Sequence, residues 1–245
     1  MREIGPDEIV PEGLMHPAKF SASILKMLDE IVTEYQAQPI CPPQIRLLDP
    51  FAGTGKVHTL QRHGVETFGV EIEPEWAAMH PRTTQGNALL LPWPSHHFHM
   101  VVTSPAYGNR LADSHKAKDG SLRRSYAHDL RRLTRDPDRD LHPDNLGGLH
   151  FGPKYQELHI KAWQEVWRVL RPTGWFVLNV SDSIKNFKTV PVAQWHRDAC
   201  MEIGFNYVDE REVPTPRLRV GSNSDARVAS ERIYIFEKPG REPRR

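Results

Sequence analysis

Three short stretches carry residue types that can do chemistry together. The first is Asp49-Pro50-Phe51-Ala52-Gly53-Thr54-Gly55, which follows the largely apolar residues 45–48. Two glycines there let the backbone bend tightly and come close to a ligand. The loop also presents free N–H groups at the start of the helix expected from Lys56. The second is Glu71, eighteen residues past Gly53. A carboxylate about 20 residues beyond such a loop is placed to accept from ribose hydroxyls. The full G-x-G-x-x-G pattern is absent, because Val57 and His58 follow Gly55. That argues against the pyrophosphate of NAD and for another nucleoside-bearing cofactor. The third stretch is Ser104-Pro105-Ala106-Tyr107, which follows a buried-type strand at residues 97–103. Open α/β sheets bind ligands at the carboxyl ends of their strands, where all three stretches would meet.

The elements that must position these residues alternate between the two periodicities. Ile24, Leu28, Ile31, Val32 and Tyr35 form a helical stripe, with Ser21 as its N-cap. Strands are expected at residues 46–50, 66–73, 83–88, 97–103 and 175–180, and helices at 56–63, 74–80, 155–170 and 192–203. Gly64 ends one helix, Pro74 opens the next, and Arg171-Pro172-Thr173-Gly174 stops the long one. Residues 205–213 and 232–238 alternate like strands with no helix between them. The pattern predicts an α/β fold in one domain over residues 1–245: a mostly parallel, doubly wound sheet with an antiparallel edge hairpin. Trp163, Trp167, Trp175 and Trp195 read as packing residues, whereas Trp76, just past Glu71, reads equally as a packing residue or as a wall for a cofactor's adenine.

The motifs resemble those of the S-adenosylmethionine-dependent DNA amino-methyltransferases, the N4-cytosine and N6-adenine group. Residues 49–55 resemble their cofactor motif, and Ser104-Pro105-Ala106-Tyr107 resembles their (Asp/Asn/Ser)-Pro-Pro-(Tyr/Phe/Trp) catalytic motif. His16-Pro17-Ala18-Lys19-Phe20 resembles the segment packed beside the methionine part of the cofactor. Gly86-Asn87-Ala88 resembles the third-strand motif at the adenine, where an acid is usual in place of Asn87. The resemblance implies a Rossmann-like class I methyltransferase fold and S-adenosyl-L-methionine as cofactor. It implies cofactor contacts at Lys19, Phe20, residues 49–55, Glu71, Ile72, Asn87, Ala88 and Ser104, and catalytic roles for Ser104, Pro105 and Tyr107. An exocyclic amine is a poor nucleophile because its lone pair is shared with the ring. Acceptors on both N–H bonds, the Ser104 hydroxyl and the Pro105 carbonyl, would draw that pair out and stabilise the cation formed as the methyl arrives. Tyr107 would stack on a base extruded from its duplex. Ala106 stands where the family has a second proline, which implies a looser backbone but keeps the acceptor.

Bulk composition names few partners. The chain has 245 residues and a net charge of +1. No signal-like or membrane-length apolar run is present, so a cytoplasmic location without membrane contact is expected. Cys41 and Cys200 read as two reduced thiols, and no metal site is expected. Residues 108–153 break the rhythm, and residues 108–142 hold nine Lys and Arg against six Asp and Glu. This basic insertion, through Arg110, Lys116, Arg123 and Arg124, is expected to contact nucleic acid, with Arg217 a second candidate. The partners expected are DNA first, RNA second, and a second copy of the chain. A catalytically weak nucleic-acid-binding subunit is the reading from a different class.

Overall fold

The computed structural model describes residues 20–108, 125–185, 187–214 and 228–240. Lys19, Arg110, Lys116, Arg123, Arg124 and Arg217 lie outside the described residues.

Ser21 caps the first helix, α1 (Ala22–Gln36), by accepting from the Ile24 N–H. Its apolar stripe is fully used: Ile24, Leu28, Ile31, Val32 and Tyr35 are all buried. Each large apolar side chain contributes about 1.5–3 kcal/mol when removed from water, which outweighs the weak intrinsic stability of a short helix. The chain then runs through β1 (Arg46–Asp49), a 3₁₀ helix (Lys56–His63), β2 (Glu66–Glu71), α2 (Pro74–Ala77), β3 (Thr83–Gln85) and β4 (Phe98–Thr103). After these come α3 (Tyr126–Thr134), α4 (Pro153–Val169), β5 (Leu170–Val180), the short β6 (Ser183–Lys185) and β7 (Lys188–Val190), α5 (Val192–Ile203), β8 (Asn206–Pro214) and β9 (Ser230–Glu237).

Seven strands form one sheet in the order β3-β2-β1-β4-β5-β9-β8. The pairings from β3 to β5 are parallel, and β9 runs antiparallel to both neighbours. The last two strands do pair, but β9 lies inside and β8 forms the edge. Alternate side chains of β1, β4, β5 and β9 point to opposite faces, and both faces are apolar. Leu48, Val101, Phe176 and Phe236 meet α4 and α5 on one side. Leu47, Val102, Val177 and Ile235 meet α1 and the 3₁₀ helix on the other.

Four local differences from the sequence expectations have physical causes. The run after Gly55 winds as a 3₁₀ helix because His58 is tied at both ring nitrogens, to Thr67 Oγ1 (2.8 Å) and Thr83 Oγ1 (2.9 Å). Its ring also stacks on His80 at 3.8 Å. The turn at residues 171–174 does not precede β5 but loops out of it, since Leu170 pairs with Phe98 and Trp175 with Met100. The charged insertion contains a helix, α3, capped by Ser125 and anchored through Tyr126 and Leu130 against Trp76. Finally, β6 and β7 form a separate ribbon in a stretch to which the sequence pattern assigned no element.

Gly69 of β2 sits where the loop after β1 crosses the sheet end. A Cβ there would lie 2.8 Å from both Ala52 Cβ and Thr83 Oγ1. Gly69→Ala should therefore destabilise the fold by about 1–3 kcal/mol, as overpacked cores do. Thermal unfolding checks this, and an unchanged melting temperature would show that the loop is free to move.

Candidate active site

The loop after β1 is built from its own backbone. Gly53 adopts φ 53° and Gly55 φ 80°, in the left-handed region that favours glycine. Asp49 Oδ1 accepts from the Phe51 N–H (2.9 Å) and from the Thr103 hydroxyl (2.6 Å), so the ends of β1 and β4 are tied together. The Ala52 N–H donates to the Val70 carbonyl (2.9 Å), and the Gly53 N–H to Glu71 Oε2 (3.0 Å). The other Glu71 oxygen accepts from the Glu73 N–H (2.9 Å). Burial pushes both Asp49 and Glu71 up to about 7, against the pull of these donors.

These residues line one cleft that opens to solvent. Phe20, residues 49–54, Glu71, Ile72, Asn87, Ala88 and Ser104 all line it. Of the residues singled out from the sequence, Gly55, Pro105 and Tyr107 do not line it. Trp76 is buried at 1% exposure and is among the residues that line the cleft. The cleft's make-up suits a nucleoside: a carboxylate at the end of β2, apolar Ile72 and Ala88, and an amide at Asn87.

The roof was not anticipated. Asp144, Asn145, Leu146 and Gly147, all from the insertion, close one side of the cleft, as does Tyr126. One carboxylate holds them. Glu73 is fully buried and accepts from Arg139 Nη2 (2.9 Å), the His142 N–H (2.8 Å) and Asn145 Nδ2 (2.6 Å). Arg139 also spans Glu75 with two bonds of 2.8 Å. The two acids after β2 were visible in the sequence, but their partners lie 64–72 residues away.

Ser104 sits beside a second polar group that the sequence did not reveal. Its Oγ lies 2.6 Å from the Tyr107 hydroxyl, and Asn179 Nδ2 reaches it at 3.3 Å. The Tyr107 hydroxyl donates to Glu231 Oε2 (3.0 Å) and accepts from Asn179 Nδ2 (2.9 Å). Tyr107 has one proton, and it goes to Glu231. The Ser104 proton must then go to Tyr107, which leaves a Ser104 lone pair free to accept. Burial and the adjacent Glu231 carboxylate hold the Tyr107 phenol well above its usual range, so it keeps that proton. Tyr107 is thus turned inward against the core in this structure, not outward toward a stacking position.

Ala106 is not loose. Its carbonyl accepts from the Tyr155 hydroxyl (2.7 Å), which accepts from His196 Nε2 (2.8 Å). His196 Nδ1 in turn accepts from Trp163 Nε1 (3.1 Å). Burial holds His196 well below its usual value and therefore neutral, which fixes this proton order.

No protein-family model and no curated protein sequence matches the chain. Solved structures do. A [4+2]-cyclase, SpnF, superposes with a TM-score of 0.52 at 13% identity, over 91% of this chain and 86% of that one. A SAM-dependent methyltransferase from Methanosarcina mazei gives 0.51 at 13% identity, over 85% and 97%. A sarcosine dimethylglycine methyltransferase assigned in Galdieria sulphuraria gives 0.50 at 13%, over 89% and 87%. The fold is the Rossmann-like class I methyltransferase fold, a mostly parallel sheet with an antiparallel strand beside its edge. The cyclase shares it, so the reaction must be argued from the site.

Truncating Glu73 to alanine should free residues 136–148 from the cleft. Hydrogen exchange there is expected to speed up while β1 and β4 keep their protection. Parental exchange in residues 136–148 would mean that something else holds the roof.

Proposed function

We propose that this chain transfers a methyl group from S-adenosyl-L-methionine to an exocyclic amino group of a DNA base, cytosine N4 before adenine N6. The observation that carries the reading is Ser104. It opens the Ser-Pro-x-Tyr stretch, lines the same cleft as the loop after β1 and Glu71, and is held as a hydrogen-bond acceptor.

The residues present fit the cofactor. Glu71 would take the ribose hydroxyls, Ile72, Trp76 and Ala88 the adenine, and residues 49–53 with Phe20 the amino-acid tail. The cofactor supplies an electrophilic methyl on a sulfonium. The chain's own contribution begins with alignment, which brings a large rate factor on its own. Ser104 Oγ accepts an N–H bond of the target amine, which helps to draw its lone pair out of the ring. The same oxygen stabilises the positive charge as the methyl leaves the sulfur, and the amine then releases a proton to solvent. Because Ser104 is oriented in advance by Tyr107, Asn179 and Glu231, that stabilisation needs no reorganisation during the reaction. Glu231 supplies negative charge one hydrogen bond behind Tyr107. The first Lys and Arg residues of the insertion, from Arg110 to Arg124, are the proposed phosphate contacts, with DNA as the polymer.

Nucleoside mass spectrometry tests the reaction. DNA and RNA from cells expressing the chain are digested and compared with those from cells expressing Ser104→Ala. N4-methylcytosine or N6-methyladenine in DNA is expected with the parent only. Purified Ser104→Ala should lose about 10²–10³ in rate, the loss seen when one charge-stabilising partner is removed, while still binding S-adenosylhomocysteine. A new mark confined to RNA would move the substrate to RNA. Parental activity in Ser104→Ala would overturn the site.

A second expectation concerns pH. Ribose hydroxyls donate to the ionised form of Glu71, whose pKa is raised to about 7 by burial. Protonation removes that acceptor, so S-adenosylhomocysteine affinity should rise with pH through about 7 and level off above it. Glu71→Gln should bind about tenfold more weakly, with a flatter profile. Titration calorimetry at several pH values measures both.

A further inference from the structure

The ribbon of β6 and β7 springs from the same sheet end as Ser104. Leu178 of β5 is level with Thr103 of β4, and the chain leaves β5 at Val180 to enter the ribbon at Ser183. The ribbon's base is clamped: Ser183 pairs with Val190, and Asp182 Oδ1 accepts from the Ala193 N–H in the first turn of α5 (2.9 Å).

Its tip makes three locally unfavourable choices. Lys185 lies directly opposite Lys188, and like charges opposed across a ribbon repel. Both are exposed, and among the described residues neither makes an ion pair. Phe187 adopts φ 62°, in the region where a turn of this length favours Asn-Gly, yet the sequence reads Asn186-Phe187. Phe187 is 68% exposed. No acid occurs from residue 183 to residue 197 to offset the charge. Local rules broken together at one exposed point mark a binding site more often than a structural one.

We propose that the β6–β7 ribbon is a DNA-docking element, with Lys185 and Lys188 on backbone phosphates and the Phe187 ring stacked on bases exposed where the target nucleotide leaves the duplex. This rests on the reading of the chain as a DNA amino-methyltransferase and assigns part of its substrate surface. The two lysines complement a polyanion, and an aromatic ring stacks on any base without needing to read it. A two-stranded ribbon enters the major groove of B-form DNA, whereas the deep, narrow major groove of A-form RNA excludes it. Stacking at the vacated position lowers the unstacking cost of extrusion.

The test is fluorescence anisotropy of the full chain with a fluorescein-labelled duplex DNA carrying one abasic site, the matched intact duplex, and an RNA hairpin. Phe187→Gly should bind the abasic duplex about tenfold or more weakly. Its melting temperature should equal or exceed the parent's, because glycine accepts the positive φ. Phe187→Trp should keep parental affinity. Replacing both lysines with alanine should reduce the slope of log K against log salt by about two. S-adenosylhomocysteine binding should be unchanged in all of these. Parental affinity in Phe187→Gly would overturn the ribbon's role and leave the methyltransferase reading standing. No DNA binding by the parent would overturn both. Stronger, Phe187-dependent binding to the RNA hairpin would overturn the assignment to DNA.

Discussion

A single buried carboxylate, Glu71, joins the two halves of the cleft floor. One oxygen holds the Gly53 N–H of the loop after β1, and the other holds the Glu73 N–H at the start of α2. The loop cannot drift from β2 without leaving a buried acceptor and a buried donor unmade, which costs about 1–3 kcal/mol each. Two residues on, Glu73 gathers Arg139, His142 and Asn145, so the roof is indexed to the same point. Floor and roof are thus both referred to the end of β2. The raised pKa of Glu71 is the electrostatic consequence of this burial. A ligand bringing hydroxyl donors would relieve it.

The second organising feature is the direction of protons around Ser104. Oxygen and nitrogen positions alone would leave its hydroxyl ambiguous. The Glu231 carboxylate resolves it, because it can only accept from Tyr107. From there the order runs back through Tyr107 to Ser104. Asn179 Nδ2, within 2.8–3.3 Å of Ser104, Tyr107 and Glu231, shares its two protons among them and keeps the three in register. On the other side, the ordered bonds from Trp163 through His196 and Tyr155 fix the Ala106 carbonyl. An alanine in place of a second proline is therefore compatible with a rigid loop. The rigidity comes from tertiary bonds instead of a ring.

Most of the sheet was legible in the sequence because both of its faces are buried, which leaves runs such as residues 98–103 and 175–180 largely apolar. The α1 stripe and the position of Glu71 after Gly53 were legible for the same local reasons. What could not be read depends on distance along the chain. Asn179 and Glu231 lie 75 and 124 residues from their partners Ser104 and Tyr107, and neither belongs to a motif. The insertion was read from its charge, which conceals α3 because that helix needs only Tyr126 and Leu130 to anchor it. Part of the insertion closes the cleft, a role its composition did not suggest. Tyr107 was given a stacking role from its motif, and its inward hydroxyl shows that its neighbours decide its orientation.

The measurement closest to the central claim is a crystal structure of the chain with S-adenosylhomocysteine. The account predicts the ribose hydroxyls on Glu71, the adenine against Ile72 and Trp76, and the sulfur facing Ser104. A ligand bound with its ribose away from Glu71, or with its sulfur turned from Ser104, would contradict it.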